Sequence, residues 1–180
     1  MARFFLVHGA WHGAWCWQEH WLPAVAAAGW HAAAVSLRGH GASERPPRFD
    51  LATLRHYEHD VLQAITRLPA PPVLIGHSMG GLVVQRVLER YRAAPAGVLV
   101  ASLAPDHGLH LLAALLRHDP ALLLGALTGR ATDPRPDTLF GPSTPPDDAA
   151  RIIAQLGDES WLALQQLVLP RRVPDVRTPM

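Results

Sequence analysis

Ser78 stands between two glycines in the run Gly76-His77-Ser78-Met79-Gly80, directly after the apolar stretch Pro72-Val73-Leu74-Ile75. A serine hydroxyl is a weak nucleophile at neutral pH unless it is held clear of the backbone and paired with a base. A G-x-S-x-G turn between a buried strand and a helix supplies the first condition. The glycines allow the tight turn, and the strained serine lifts its Oγ off the sheet. Met79, Val83, Val84, Val87, Leu88 and Tyr91 follow at helical spacing. The bland alternative is a serine that caps a helix, which does not call for glycine on both sides. Ser78 is therefore read as a nucleophile.

A second glycine turn, His8-Gly9-Ala10-Trp11, closes the first apolar run. Two such turns at neighbouring strand ends bring backbone N–H groups toward one place. The N–H groups of Ala10 and Met79 are the candidate pair for a developing oxyanion, each such donor being worth roughly 3 kcal/mol in a transition state. Against this stands a plain glycine-containing turn. Gly9, Trp11, His12 and His77 are the candidate substrate-binding neighbours, although His77, within the turn, is expected to face away from the serine. His40, in a loop near a strand end, is a further candidate for the pocket lining. A nucleophilic serine also needs an acid and a histidine after it in the chain. Asp106 and His107 are the candidates, and adjacent residues do not readily form a relay with each other. No His, Cys or carboxylate cluster has ligand spacing, so no metal and no cofactor is expected.

The elements that must position these groups alternate. Apolar strands are expected at Arg3 to Val7, His31 to Leu37, Pro72 to Ile75 and Gly97 to Ser102. Helices are expected from about Trp15 to Ala28, from about Leu51 to Leu68 with Asp50 or Thr53 as cap, and from the turn to about Arg92. Near-continuous apolar strands between helices predict an α/β fold, a parallel sheet of about four strands covered on both faces. From Asp106 to Pro170 only helical stretches occur (Leu109 to Leu116, Pro120 to Leu127, Ala149 to Leu156, Trp161 to Leu169), around a loop from Thr132 to Asp148. The expected organisation is a core over 1–105, a helical cap over 106–170 and a tail over 171–180.

The 180 residues suit one domain, and 49% of them are apolar, which excludes a disordered chain. A net charge of +1 gives no electrostatic reason to invoke nucleic acid or an anionic membrane. All basic residues are arginine. The one cysteine, Cys16, cannot form an internal disulfide, so a reducing cytoplasm is the expected compartment. The opening run Arg3 to Val7 is too short for a signal peptide, and no apolar run approaches the roughly 18 residues of a spanning helix.

FFLVHGAWHGAWCW (Phe4 to Trp17), LRGHGAS (Leu37 to Ser43), VLIGHSMGGLVV (Val73 to Val84) and LVASLAPD (Leu99 to Asp106) together resemble the α/β-hydrolase superfamily. The closer similarity is to its methylesterase and hydroxynitrile lyase branch, and it covers the chain well to about residue 106. The resemblance implies a serine ester hydrolase acting on small apolar carboxylic esters, without a cofactor. It also implies that the strands bearing the acid and the histidine follow Val173 to Met180, so the chain is expected to be truncated before them; Asp175 precedes that position. Rival expectations are a catalytically impaired fragment, hydroxynitrile lyase chemistry, and a ligand-binding receptor. A sheet stopping at the fourth strand predicts a homodimer through that edge, or its covering by the tail.

Overall fold

The computed structural model describes residues 3–103, 108–129, 134–169 and 173–180. Four parallel strands, β1 (Arg3–Val7), β2 (His31–Val35), β3 (Val73–His77) and β4 (Gly97–Val100), form one sheet in the order β2-β1-β3-β4. Leu6 pairs with Ala34 on one side and Ile75 on the other, which fixes the register of the centre. Alternate side chains go to opposite faces, as the strand period of two requires. Phe5, Val7 and Leu74 join the larger core, and Leu6 and Ile75 join a smaller one with Trp17. This is the α/β architecture expected, with apolar side chains buried on both faces of the sheet.

The helices on these faces are shorter than the apolar pattern suggests. The stretch expected as one helix from Trp15 to Ala28 is two, α1 (Trp15–Gln18) and α2 (Trp21–Ala27). Pro23 explains the break. In a continuous helix its ring would meet the Glu19 carbonyl, and it has no N–H to donate, so the chain restarts with Pro23 in the first turn. On the other face lies α3 (Leu54–Ile65), capped by Thr53 in a reciprocal pair with His56. Residues Phe49–Leu51 make a separate 3₁₀ turn. Beside it, α4 (Met79–Arg90) buries Leu82, Val83, Val84, Val87 and Leu88, each full burial of such a side chain contributing about 1.5–3 kcal/mol. Strand β4 stops at Val100, short of the expected Ser102, because Ala101 takes a left-handed φ of 43°.

The second half of the described chain is helical: α5 (Gly108–His118), α6 (Pro120–Thr128), α7 (Pro136–Leu139), α8 (Pro146–Ile153) and α9 (Trp161–Val168). The loop expected from Thr132 to Asp148 thus holds α7 and the start of α8, each opened by a proline at its first position. Asp119 caps α6 through the Leu122 N–H and also accepts from Arg135 N–H and Thr138 Oγ1, tying this layer together. At the sheet edge the tail returns to β4. The Gly97 N–H donates to Pro179 O at 2.8 Å, and Val176 packs on the core. Val98 remains 41% exposed, so only the first residue of the edge strand is covered in this way. Among the described residues no helix is long and apolar enough to cross a membrane.

Candidate active site

Ser78 sits at the junction of β3 and α4 with φ 51° and ψ −121°, a left-handed conformation that side chains rarely adopt. Its side chain makes no capping bond to α4, which removes the helix-cap explanation for the residue type. Its backbone is tightly held. The N–H donates to Val100 O at 3.0 Å, and the carbonyl accepts from Gly81 N–H at 3.0 Å and Leu103 N–H at 3.4 Å. The glycines around it are required by contact. A Cβ at Gly76 would lie 2.5 Å from Gly80 O, and one at Gly80 would run into the carbonyl oxygens of Val7 and His8. At Gly9 it would stand 3.0 Å from both His77 Nδ1 and Ser78 Cβ, so the two turns press against each other.

Every peptide of the Gly9 loop is pinned. Gly9 O accepts from the ring Nδ1–H of His8 at 2.7 Å and from His12 N–H at 3.4 Å. Ala10 O accepts from His12 Nδ1 at 2.7 Å. Trp11, at φ 64°, donates its N–H to Glu159 Oε2 at 3.3 Å, and its carbonyl accepts from Gly157 N–H at 2.8 Å. Among the described residues the N–H groups of Ala10 and Met79 have no protein acceptor. They are left available at the ends of β1 and β3.

Ser78, Ala10 and Trp11 line one cavity of about 190 Å³ with Leu103, Leu111, Leu115, Thr138 and leucines of α6 and α9. The Thr138 hydroxyl is engaged by Asp119 at 2.9 Å, so the lining is apolar apart from Ser78. No histidine or carboxylate is among the described lining residues. Asp106 and His107 lie outside the described residues. His12 and His77 face another cleft, shared with Cys16, Trp17, Trp21 and Val100. Their rings are 6.1 Å apart, and burial above all holds both below the ordinary imidazole pKa. Burial raises the Cys16 thiol to about 12, so it is no thiolate nucleophile. Among the described residues no group of three His, Cys, Asp or Glu is set to hold a metal ion. A larger open depression of about 530 Å³, between Arg38, Asp60 and Arg67, contains none of these residues.

Behind the loop lie three buried polar groups that sequence reasoning did not find together. His8 accepts Leu37 N–H on Nε2 at 3.0 Å while Nδ1–H donates to Gly9 O, which defines a neutral ring. Burial, then the neighbouring His40, lowers its pKa to about 3. His40 does not line the cavity. Its Nδ1 faces Arg38 O at 3.0 Å and its Nε2 faces Glu159 Oε2 at 3.1 Å. Burial disfavours its charge, but the hydrogen bond to Glu159 and the carboxylate charge outweigh this and raise its pKa. Glu159 also accepts from Tyr57 OH at 2.6 Å and from Ser160 N–H at 2.7 Å. Nothing local in Gly157-Asp158-Glu159-Ser160 marks it as a buried ion.

The profile of the Alpha/beta hydrolase family matches residues 4–180. Over 114 residues the chain is 41% identical to Esterase PIR7B of Oryza sativa subsp. japonica, covering 61% of this chain and 41% of the relative. It is 36% identical over 104 residues to Methylesterase 3 of Arabidopsis thaliana, covering 56% and 39%. The match thus spans about two fifths of the length of these curated relatives. Among solved structures it is similar to an extracellular alpha/beta-hydrolase from a Paenibacillus species (TM-score 0.74, 21% identity, 93% of this chain and 73% of that one). Polyneuridine aldehyde esterase is also similar (TM-score 0.70, 22% identity, 96% and 74%). At these identities the structural likeness speaks for the fold.

Proposed function

The chain belongs to the alpha/beta hydrolase family, and from that premise and the surroundings of Ser78 we propose a serine hydrolase of small, apolar carboxylic esters. The observation that carries the reading is an uncapped serine at a left-handed turn, facing an apolar cavity beside Ala10. Ser78 Oγ attacks the acyl carbon, and the N–H groups of Ala10 and Met79 receive the oxyanion. Its collapse breaks the ester C–O bond, the alcohol departing with the proton that the serine hydroxyl gives up. Water then releases the acid from the acyl-enzyme. A cavity of about 190 Å³ lies below the roughly 300 Å³ at which drug-sized pockets begin, which favours short acyl groups. The esterase and methylesterase names of the relatives support the ester class.

A second reading, a catalytically weak protein of the same ancestry, is favoured by the lack of a base or acid among the described lining residues. Without these partners the oxyanion site and binding alone give roughly 10³–10⁴-fold over water. The 180-residue chain is therefore expected to hydrolyse p-nitrophenyl acetate slowly and to react slowly with a fluorophosphonate, at Ser78. Mass spectrometry of the labelled protein and of Ser78→Ala checks both points. Labelling that survives Ser78→Ala sinks the nucleophile assignment. Fast Ser78-dependent turnover overturns the weak reading and directs attention to Asp106 and His107.

A further inference from the structure

We propose that Glu159 is a positioning residue that holds the Ala10–Trp11 loop in its oxyanion-binding shape from within the helical layer. The inference rests on the reading of Ser78 as nucleophile and extends it to a residue far from the strands. Glu159 has a wholly buried side chain, paired with an equally buried His40 at 3.1 Å. Burying a carboxylate costs several kcal/mol unless it is paired and its remaining lone pairs are filled. Here they are. His40 and Trp11 N–H share Oε2, while Tyr57 OH and Ser160 N–H share Oε1.

The partner that makes this more than a structural ion pair is Trp11. Its φ of 64° is a strained choice for a tryptophan, of order 1–3 kcal/mol, and persists only where the surroundings enforce it. Two groups from one short segment do so: the Glu159 carboxylate on its N–H and the Gly157 N–H on its carbonyl. The Ala10 N–H lies in the Gly9–Ala10 peptide, held at Gly9 O by His8 and His12. Glu159 holds the peptide on the other side of the Ala10 Cα, so losing it frees the ψ of Ala10 and lets the loop that carries the donor relax. Ser160 anchors the segment in turn, its hydroxyl lying 2.6 Å from Ala52 O and 2.9 Å from Asp50 O. Displacing a preorganised donor by about 1 Å costs on the order of 10²-fold in a transition state while leaving apolar ground-state contacts intact.

The test is binding of phenylboronic acid to the full chain, since its adduct with Ser78 has a tetrahedral boron, one of whose oxygens needs the oxyanion donors. Toluene, which needs only the apolar cavity, serves as the ground-state control. Glu159→Gln is expected to bind phenylboronic acid roughly ten- to hundredfold more weakly, with toluene affinity within about twofold. Tyr57→Phe, which removes a Glu159 partner without touching Trp11, is expected to leave both affinities near wild type. If Glu159→Gln does not fold, Glu159→Asp keeps the charge beside His40, draws the oxygens back from Trp11 and reads the same loss. Unchanged boronate affinity in a folded Glu159 variant, or parallel loss of toluene, overturns the positioning role. Equal boronate affinity in wild type and Ser78→Ala overturns instead the nucleophile reading on which it stands.

Discussion

Replacing Gly80 by alanine is expected to remove about 3–5 kcal/mol of stability, a large share of what a domain of this size has in hand. The new methyl would meet the carbonyl oxygens of both Val7 and His8. Neither can swing aside as a side chain does, because both belong to the end of β1 and the pinned loop behind it. Overpacking against flexible neighbours costs about 1–3 kcal/mol; here α4 as a whole must slide off β1. Relief by sliding is blocked by Gly76, whose own methyl-free Cα lies under Gly80 and Gly81. Gly141→Ala, with open space around it, is the matched control and is expected within about 0.5 kcal/mol of wild type. Urea denaturation followed by circular dichroism checks the pair. A Gly80→Ala midpoint close to that of Gly141→Ala contradicts the packing described for the turn.

Acidification is expected to destabilise the protein well before its carboxylates are protonated. His8 titrates near 6.5 when unfolded, but its pKa in the fold is lowered to about 3 by burial and by His40. Its folded pKa lies below the unfolded one, so between these values the unfolded chain binds a proton that the native protein refuses, and stability falls as pH falls. The slope is about 1.4 kcal/mol per pH unit, so two units below 6.5 remove about 2.7 kcal/mol. His12 and His77, lowered in the same way, act in the same direction. His40 acts oppositely. Its raised folded pKa gives stability that is complete below 6.5 and is lost as pH rises through the folded value. Unfolding free energies from pH 4.5 to 6.5 for wild type and His8→Asn read the effect, the variant having a lower but flatter profile. A wild-type profile without slope in that window contradicts a neutral, buried His8.

The parts of this architecture that could be read in advance are those encoded locally. The four apolar runs became strands of one sheet, the central β1 and β3 buried on both faces and the outer β2 and β4 only in part. The turn at Ser78 was visible because two glycines two residues to either side report a close approach of backbone. Pro23 was equally visible, yet the apolar pattern through Trp15 to Ala28 suggested one helix where a missing N–H makes two. Glu159 could not be found this way. Its partners Trp11, His40 and Tyr57 are 148, 119 and 102 residues away, and a carboxylate before a helix-capping serine carries no mark of burial. His12 and His77 were read as substrate-binding neighbours by chain position, His77 being expected to face away from the serine. Both open onto the other cleft, His77 by the period of β3 and His12 from the loop after β1.

The order β2-β1-β3-β4 hangs Ser78 from an interior strand braced by a neighbour on each side. The leucines opposite it belong to α5, α6 and α9, which touch one another and carry no strand. The serine and most of the leucines facing it thus stand on different elements, although Leu164 and Leu167 share the larger core with β1 and α4. On the proposed reading, enlarging Leu111 or Leu122 to phenylalanine, or trimming them to alanine, is expected to shift the preferred chain length among p-nitrophenyl esters while Ser78 keeps its place. Residues 157–160, and α9 after them, are tied to the strand-bearing part directly, through Trp11, Ala52 and Leu54. A grafted helical layer from a relative would need to carry that short segment unchanged, or the transplanted specificity would arrive with a disarmed oxyanion loop.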